Sequence, residues 1–523
     1  MDYNTTSPVT GTESLKDSLC SPARLWAAAG VIALLVGSRL LVAPRYLYYF
    51  DSVNFALALE RFDPSLHQPQ PPGYPLFVLL ARAIHLFVLP AQAVFLIAGL
   101  FGAGLALLLV WLLAREMFTP RAADLAVLAM VLAPTFWLGG VTNQVRVFLA
   151  TAAAAVALAC WRAKATESPS SRLYGASFLL GLLAGLRPGL VVYLGPLLLW
   201  AAWRSRRPFR QWVLTGAALA GGVALWLPAT MHLTGGPTRY WQLVASYAGD
   251  EFRGSSPLFG AQLQAAWRMV KMASVWSGFG ALSWLWALPF ALPKLRLAWR
   301  NESAVFLLVC LLPQLAFLMM VHVGDPDQTL ATLPVFALAG GRVLERFAPT
   351  RGRFVLAGVA VVLLNALLFI RPPRGLAEAS GFSAVRRVDR ETQAAFQAIG
   401  RLRQAGETML VANRSFITWR HLYYYFPELP LLVLHGDAGE PPERRKIWLL
   451  HKRQSRDVPL QDEALTLKAP LRLIWFLPHD RAARQLPVPA QPFSEAPPLA
   501  YTDLAPGGEV RYGALHIVAE GAR

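Results

Sequence analysis

The sequence predicts a mainly α-helical, polytopic membrane protein that ends in a small soluble α/β domain. Hydrophobic residues make up 55% of its 523 residues and charged residues only 15%, and the mean hydropathy is +0.41. Long apolar runs recur until Arg371, after which the composition becomes that of a soluble protein. These three observations predict a membrane domain over 24–371 and a soluble domain over 376–523.

The apolar runs have the length of membrane-spanning helices. A helical span needs roughly 20 apolar residues, whereas the strands of a membrane barrel alternate over only about ten. Only helices or closed barrels satisfy the backbone in lipid, so these runs predict helices. We count about eleven candidate spans by the length criterion. They lie near 25–43, 91–114, 122–139, 147–162, 174–187, 189–203, 211–231, 273–292, 303–321, 329–341 and 354–370.

Basic residues of the membrane domain gather in alternate loops. The formal net charge of +18 would suit a nucleic-acid-binding surface, but such a surface does not explain charges that skip every second loop. The alternation follows the positive-inside rule and orients the chain. It predicts a cytoplasmic N-terminus, an external loop over 44–90 and an external tail after Arg371. The basic clusters are Arg115 and Arg121; Arg162, Lys164 and Arg172; Arg204, Arg206, Arg207 and Arg210; Lys294, Arg296 and Arg300; and Arg342, Arg346, Arg351 and Arg353.

The N-terminal residues and the cysteines exclude some classes of protein. Residues 1–23 are polar and rich in Ser and Thr, which predicts a disordered cytoplasmic tail. The first span then acts as a signal anchor, not as a cleavable signal peptide. The three cysteines are widely spaced, so they indicate neither a disulfide framework nor a metal site.

The C-terminal domain is predicted to combine helices with short strands. Helices are indicated over 391–403, where the apolar spacing is amphipathic, and over 419–425. Strands are predicted over 408–412, 431–434, 471–476 and 509–518. The domain contains neither a phosphate-binding glycine motif nor a nucleophile elbow, so its sequence offers no recognisable catalytic site.

An aromatic run, Tyr423 to Phe426, stands out in this domain. It could pack on the membrane domain, or it could line a substrate cleft. Packing is the preferred interpretation, because large aromatic side chains mainly contribute buried contact area.

The stretch 50–75 is the most informative part of the membrane domain. It is polar and rich in proline, yet it directly follows the first span. Residues 51–62 have helical spacing, which puts Asp51, Asn54 and Arg61 on one face. The apolar residues of this stretch are numerous enough for a helix that lies along the membrane surface. They are Phe55, Leu57, Leu59 and Phe62.

A turn separates this helix from a second one. Asp63-Pro64 ends the first helix, and the prolines at 69, 71, 72 and 75 exclude a helix across the next residues. Gly73 and Tyr74 lie in the turn. A second interfacial helix is predicted over 76–88.

This layout resembles the GT-C superfamily of membrane glycosyltransferases, in particular the bacterial family 39-like branch related to protein O-mannosyltransferases and lipid A aminoarabinose transferases. Three motifs carry the resemblance: FDSVNFALALERFD after the first span, the turn and helix HQPQPPGYPLFVLLARAIHLF, and GLLAGLRPGL in a later span. The resemblance covers 25–115, extends to about residue 341 and does not include the tail. Relatives often carry His where this chain has Gln70, and His67 lies three residues earlier.

The resemblance implies a reaction and a catalytic residue. Such enzymes transfer a sugar from a polyprenyl-phosphate donor to an acceptor on the external face, usually with inversion. A carboxylate must accept the proton of the attacking hydroxyl, and general base catalysis contributes roughly 10²–10⁴-fold. Asp51 is the candidate base. The alternative role for Asp51 is that of an N-cap, which Asp fills readily at the start of a helix.

Cationic side chains are needed beside the phosphate that leaves. Arginine suits this task because its charge is permanent and its contacts are bidentate. The candidates are Arg146, Arg187 and Lys271. Intramembrane charges are functional candidates by default; the alternative is that these three only reach up to lipid headgroups.

Several polar residues complete the candidate substrate-binding set. Asn54 could bind sugar hydroxyls, Asp63 could contact the acceptor or a metal, and His67 and Tyr74 lie in the turn. The loop before the tenth predicted span carries Asp325 and Asp327 in a DxD pattern that could contact the donor. Together with Asp51, these two carboxylates could gather a divalent cation through oxygen ligands. No other cofactor is indicated.

The main alternative function is that of a transporter or flippase for lipid-linked sugars. Many spans and a lipid-phosphate ligand would suit either class, but the long polar first loop favours an enzyme, and no inverted repeat of interrupted spans is evident. The expected partners are a polyprenyl-phosphate sugar donor, a glycan, lipid or protein acceptor, and membrane lipids. No nucleic acid is expected. The Arg- and Ala-rich composition predicts a bacterial inner membrane location.

Overall fold

A computed structural model describes most of the chain. The described residues are 22–142, 144–165, 167, 169–253, 255–291, 301–323, 325–376, 379–403, 407–413, 419–435, 446–451, 454–458, 465–476, 491–495, 498–512 and 515–520. Residues 1–21, and with them nearly all of the predicted N-terminal tail, lie outside this set. Pro22 already begins the first helix.

The membrane domain is helical, as predicted. Its helices are Pro22–Val42, Phe50–Glu60, Pro75–His85, Ala91–Met117, Pro120–Val131, Pro134–Gly139, Val147–Ala163, Ser170–Leu183, Gly189–Arg204, Phe209–Ala224, Leu227–Leu233, Pro237–Phe252, Leu263–Phe279, Leu282–Leu285, Leu288–Ala291, Glu302–Met320, Leu333–Phe347 and Arg351–Ile370. Short 3₁₀ helices lie at Pro64–Leu66, Pro257–Phe259 and Pro326–Ala331.

Among the described residues, five helices are long and apolar enough to cross a membrane. They are Arg24–Val42, Ala91–Met117, Phe209–Leu233, Glu302–Met320 and Arg351–Ile370. The shorter apolar helices are Pro75–His85, Val147–Ala163 and Gly189–Arg204. The fold class is therefore confirmed, while the count of about eleven spans stays a prediction.

Some predicted spans are not single helices, and 122–139 and 273–292 are two examples. In the 122–139 run, one helix ends at Val131 and the next begins at Pro134, because proline lacks an amide hydrogen and excludes the helical conformation before it. The 273–292 run is divided into three helices, with breaks after Phe279 and Leu285. Hydropathy alone does not register such breaks, since the residues on both sides remain apolar.

Small residues let some of the helices approach closely. A Cβ atom on Gly181 would overlap the backbone carbonyl of Leu219, and one on Gly222 would overlap the carbonyl of Phe178. Ser170–Leu183 and Phe209–Ala224 are thus in backbone contact. Close approach through small residues is how helices gain packing energy in lipid, where the hydrophobic effect does not drive association.

The described residues of the C-terminal domain form a long helix, a short helix and ten strands. The helices are Phe382–Leu402 and Trp419–Tyr425. The strands are β1 Glu407–Asn413, β2 Leu431–His435, β3 Lys446–His451, β4 Gln454–Val458, β5 Leu465–Leu467, β6 Leu471–Phe476, β7 Gln491–Glu495, β8 Pro498–Leu504, β9 Glu509–Tyr512 and β10 Leu515–Ala519. The domain is therefore an α/β domain, as predicted.

Most strands form one mixed sheet in the order β4-β3-β2-β1-β6-β8-β7, and β5-β10-β9 form a second, small sheet. At the centre, β1 runs parallel to β2 and to β6. The apolar runs that predicted β1, β2 and β6 are buried here. The predicted strand over 509–518 is instead an antiparallel pair, in which Leu515 lies opposite Tyr512.

Candidate active site

The first juxtamembrane helix, Phe50–Glu60, presents Asp51 near its N-terminus. The Ser52 hydroxyl oxygen accepts a hydrogen bond from the Tyr49 amide at 3.1 Å and donates one to the Thr142 carbonyl at 2.7 Å. Tyr49 is the N-cap residue, so the alternative role of Asp51 as an N-cap is wrong. Asp51 lies in the first turn, where a carboxylate is stabilised by the helix dipole.

The position predicted for this helix requires a correction. Its apolar residues are expected to lie along the membrane surface, but every residue from Ser52 to Leu59 is buried within the protein. Phe55 packs edge-on against Tyr74 and Phe77, with ring centroids 5.4 and 4.9 Å apart. Other parts of the chain therefore cover the faces that the sequence assigned to lipid.

The Pro-rich turn has the backbone that its sequence predicts. Asp63 and Gln68 exchange backbone hydrogen bonds of 2.6 and 3.0 Å, which close the loop. Gly73 has φ +107°, and a Cβ atom there would lie 3.1 Å from the Pro64 ring. Tyr74 follows with φ 46°. Only glycine adopts the Gly73 conformation without strain, so the turn specifically requires it.

The second juxtamembrane helix, Pro75–His85, ends three residues before the predicted boundary. The Arg82 guanidinium donates to the carbonyl of Ala58 from Nε at 3.1 Å and from Nη2 at 2.8 Å. This contact satisfies a carbonyl near the C-terminus of the first helix, where cations are favourable. The two juxtamembrane helices are thus joined directly.

Arg146 lies at the centre of a cluster of carboxylates. Its Nη2 atom is 3.3 Å from Asp51 Oδ2 and 3.5 Å from Asp325 Oδ2, and its Nε atom is 3.8 Å from Asp327 Oδ1. The sequence groups the three carboxylates around a possible cation and treats Arg146 separately, whereas the structure brings all four residues together. The planar guanidinium can serve several carboxylates at once because its donors point in different directions.

Neighbouring side chains hold this cluster in place. Gln144 Oε1 accepts from Arg146 Nε at 2.8 Å, and Asp327 Oδ2 accepts from the Thr142 hydroxyl at 3.0 Å. The carbonyl of Thr142 in turn holds Ser52, beside Asp51. Sequence reasoning missed Gln144 and Thr142; their place beside Arg146 in GVTNQVRVF is the one available signal.

The three carboxylates differ in accessibility. The side chain of Asp327 is 0% exposed, whereas those of Asp51 and Asp325 are 25% and 33% exposed, and that of Arg146 is 6% exposed. Asp327 and Arg146 thus form the buried side of the cluster. Asp51 and Asp325 face its open side, where a substrate could approach.

Burial and charge act against each other in this cluster. Burial raises the pKa of Asp327 to about 7, although Arg146 lowers it. Burial also raises the pKa of Asp325, against the charges of Arg146 and Arg187. Three carboxyl groups share one central guanidinium, so protonation of one of them relieves like-charge repulsion.

The three predicted phosphate-binding cations have different surroundings. Arg146 is already ion-paired with carboxylates. Arg187 is half-buried and lines a small cavity together with Tyr193 and Gln314; its charge acts on Asp325 and His322. The side chain of Lys271 is exposed on Leu263–Phe279. Arg187 is therefore the candidate cation that faces a cavity beside the cluster.

The remaining candidates mainly shape the turn. Asn54 is buried and donates from Nδ2 to Gln70 Oε1 at 3.2 Å, so Gln70 contacts the first helix. Tyr74 is buried against Phe55.

His67 and Asp63 lie in the turn itself. The ring of His67 meets that of Tyr247 edge-on, with centroids 5.7 Å apart. Asp63 caps the short 3₁₀ helix by accepting from the Ser65 amide at 3.1 Å and is ion-paired with Arg61 at 3.0 Å.

The carboxylates proposed for a cation surround a guanidinium instead. Arg146 stands where a metal bridged by Asp51, Asp325 and Asp327 would lie. In the part of the chain that the structure describes, no group of three or more His, Cys, Asp or Glu side chains could hold a metal ion. The donor set therefore does not fit a divalent cation unless Arg146 moves away.

Comparison with known proteins agrees with this architecture. The family model of dolichyl-phosphate-mannose-protein mannosyltransferases matches residues 69–232, a range that contains the second part of the Pro-rich turn, Arg146 and Arg187 but begins after Asp51. Among curated proteins, no sequence matches the chain.

Several solved structures align with most of this chain. ArnT from Cupriavidus metallidurans bound to undecaprenyl phosphate has a TM-score of 0.56 at 15% identity, covering 92% of this chain and 98% of that chain. Its apo state has a TM-score of 0.55 at the same identity and coverage. The oligosaccharyltransferase of Archaeoglobus fulgidus has a TM-score of 0.40 at 16% identity, covering 77% of this chain and 63% of that chain.

The ArnT alignments establish the fold of both parts of the chain. Because they cover 92% of it, they extend beyond the membrane domain into the C-terminal domain. The sequence carried no resemblance there, so the likeness in fold reaches further than the motifs do.

Proposed function

We propose that this chain, a membrane glycosyltransferase with the GT-C fold, moves a sugar from a polyprenyl-phosphate donor to an acceptor on the extracytoplasmic face, with Asp51 as general base. The family match over 69–232 and the ArnT-like fold support the class of enzyme. Undecaprenyl phosphate, the ligand bound to ArnT in the similar structure, supports a polyprenyl-phosphate donor. The observation that carries the proposal is the contact of Asp51 with buried Arg146 at the open side of the acidic cluster.

The proposed reaction uses Asp51 as the proton acceptor. The acceptor hydroxyl attacks the anomeric carbon, and a carbon–oxygen bond forms as its proton passes to the Asp51 carboxylate. The bond between the anomeric carbon and the phosphate oxygen breaks, and its electron pair leaves with the lipid phosphate. Attack from the face opposite the phosphate inverts the anomeric configuration. Arg146 orients Asp51, since a paired carboxylate on a helix has little rotational freedom.

We assign the departing phosphate to Arg187. Its charge acts on Asp325, and it lies in the family-like motif GLLAGLRPGL. A fixed cation at that point stabilises the charge that develops on the phosphate oxygen. Lys271, which is exposed on its helix, is assigned no role in this step.

We also propose that Arg146 supplies the positive charge that a divalent cation would otherwise bring to these carboxylates. Its contacts with Asp51, Asp325 and Asp327 carry this assignment. Turnover should then continue when chelators remove free divalent ions.

The orientation rests on the distribution of basic residues. The positive-inside pattern supports an orientation with the loop that carries Asp51 and the C-terminal domain outside, and the Arg- and Ala-rich composition supports a bacterial inner membrane. A polyprenyl-phosphate sugar presented at the outer leaflet would reach the cluster from that side. The acceptor would be a glycan, a lipid or a protein.

Substitution Asp51→Asn tests this function. The amide keeps the size of the side chain but accepts no proton, so turnover should fall by about 10²-fold or more while the affinity for undecaprenyl phosphate persists. The measurement is sugar transfer by membranes from undecaprenyl-phosphate sugars, with and without EDTA, beside binding of undecaprenyl phosphate to purified protein. Glu60→Gln is the matched control, because Glu60 is an exposed carboxylate at the other end of the same helix. This variant should keep wild-type turnover.

Two results would contradict the proposal. Normal transfer by the Asp51→Asn enzyme would remove Asp51 as the base. A protein that moves lipid-linked sugar across the membrane in both forms, without transferring it, would be a flippase.

A further inference from the structure

The C-terminal domain packs against the segment that leads into Asp51. This segment, residues 43–49, joins the first span to the first juxtamembrane helix and has neither helix nor strand structure. Irregular backbone needs hydrogen-bond partners outside itself. Several of the partners of 45–47 come from a domain more than 300 residues away in the sequence.

Asp389 holds the first part of the segment. It is buried on Phe382–Leu402, and its Oδ1 atom accepts from the amides of Arg45 at 2.8 Å and Tyr46 at 3.3 Å. Arg386 pairs with Asp389 at 3.2 Å and donates to the Leu41 carbonyl at 2.8 Å. Charge-assisted hydrogen bonds of this kind are about twice as strong as neutral ones.

Both backbone groups of Leu47 are satisfied by the short helix Trp419–Tyr425. The Tyr425 hydroxyl oxygen accepts from the Leu47 amide at 3.0 Å and from Gln92 Nε2 at 2.7 Å. His421 Nε2 lies 2.9 Å from the Leu47 carbonyl. A carbonyl can only accept, so His421 carries its proton on Nε2. Burial lowers the pKa of His421 to about 4, which keeps it neutral at physiological pH.

The same helix also covers the residue before Asp51. The Arg420 guanidinium lies over the Phe50 ring at 4.7 Å, and the Trp419 ring meets it edge-on at 6.3 Å. Within the aromatic run 423–426, Tyr425 packs on the membrane domain, in line with the preferred interpretation of the sequence. Its ring also meets that of Tyr46 edge-on at 5.8 Å.

We propose that the C-terminal domain positions the general base, with Asp389, His421 and Tyr425 as positioning residues for Asp51. These residues fix 45–47, and the helix that carries Asp51 begins only three residues later, at Phe50. The inference rests on the proposed function of Asp51. A displacement of a catalytic group by about 1 Å can lower the rate 10²-fold, so the domain controls turnover without touching substrate.

The test compares two carboxylates of the C-terminal domain. Asp389→Asn weakens the hydrogen bonds to 45 and 46, and Tyr425→Phe removes the hydroxyl that accepts from Leu47. Asp503→Asn is the matched control, because Asp503 also pairs with an arginine, Arg472, but on the exposed surface of the sheet. We expect kcat to fall about tenfold in the first two variants, with wild-type affinity for undecaprenyl phosphate, and to stay unchanged in Asp503→Asn.

A double substitution separates positioning from a merely structural role. If Asp389 acts through the base, then Asp51→Asn with Asp389→Asn should be no slower than Asp51→Asn alone, because a missing base cannot be misplaced. If Asp389 only holds the two domains together, the two losses multiply and the thermal stability of the single variant falls with its activity. Amide hydrogen exchange of the 43–50 segment gives an independent readout and should rise in Asp389→Asn.

The outcomes distinguish the two proposals. Normal kcat in both Asp389→Asn and Tyr425→Phe, beside an inactive Asp51→Asn enzyme, would overturn the positioning role and leave the proposed function standing. Normal kcat in Asp51→Asn would overturn the proposed function itself, whatever the variants of the C-terminal domain do.

Discussion

The two juxtamembrane helices have the same length but very different surroundings. Each contains 11 residues. The first is buried without a break from Ser52 to Leu59, whereas only Phe77, Val78 and Ala81 of the second are buried. The enclosed helix carries the candidate base, and the second helix lies at the edge of the site. An apolar stretch beside the membrane can therefore be a buried helix that holds a catalytic residue in place, or a helix that exposes one face to lipid.

The difference comes from residues that are distant in sequence. Tyr74 and Phe77 cover one side of the first helix, the Thr142 carbonyl binds its first turn, and Arg420 covers Phe50. The second helix turns Leu79 away from the protein, with 66% of that residue exposed. Because lipid and protein interior are both apolar, composition cannot tell these two environments apart.

The largest expected effect is that of Arg146→Met, which removes the ion pair between Arg146 and Asp51 on the first helix. Three carboxylates would lose their common partner, and breaking a buried pair costs about 3–5 kcal/mol. Turnover should be lost together with stability. Unfolding of the purified protein in detergent measures the effect.

Arg162→Met is the matched control for this substitution. The Arg162 side chain is 47% exposed and pairs with Glu116, and surface pairs contribute only about 0–1 kcal/mol. Equal losses in the two variants would show that the acidic cluster is not a buried structural centre.

Matched leucine truncations test the comparison of the two helices directly. Leu57 on the first helix is 2% exposed, and Leu79 on the second is 66% exposed. Leu57→Ala should cost about 2–5 kcal/mol because it leaves a cavity in packed protein. Leu79→Ala should change the free energy of unfolding in detergent by less than about 0.5 kcal/mol, as surface substitutions usually do. Similar losses would mean that both helices are enclosed alike.

The sequence could predict what depends on neighbouring residues. The first juxtamembrane helix, the turn at Gly73 and the strand over 471–476 follow from proline, glycine and apolar spacing. The contact between Asp51 and Arg146 could not be predicted, because 95 positions separate them and nothing in their spacing fixes how the intervening helices cross. The polar strand Gln454–Val458 was missed for a related reason, since its pairing with Lys446–His451, not its own composition, makes it a strand.

A smaller effect is expected where the two helices meet. Arg82→Ala removes both hydrogen bonds to the Ala58 carbonyl, and the loss should be about 1 kcal/mol because the guanidinium is only partly buried. Arg82→Lys keeps the charge and one donor, so it should recover part of the loss. Thermal unfolding of both variants measures this link, and an unchanged midpoint in Arg82→Ala would mean that the helices are held together without it.

A pH dependence of stability is expected from the acidic cluster that contacts the first helix. The folded protein holds the pKa of Asp327 at about 7, against an ordinary value of 3.8. Between these values the folded state keeps a proton that the unfolded state releases, so the free energy of unfolding falls as the pH rises from about 4 to about 7 and then levels off. The Asn side chain of Asp327→Asn cannot titrate, so this variant should lose the pH dependence. Asp503→Asn, which replaces an exposed carboxylate, should keep it. If Asp327→Asn keeps the full pH dependence of the free energy of unfolding, another group titrates. The charge of the acidic cluster beside the first helix would then not change between about pH 4 and pH 7.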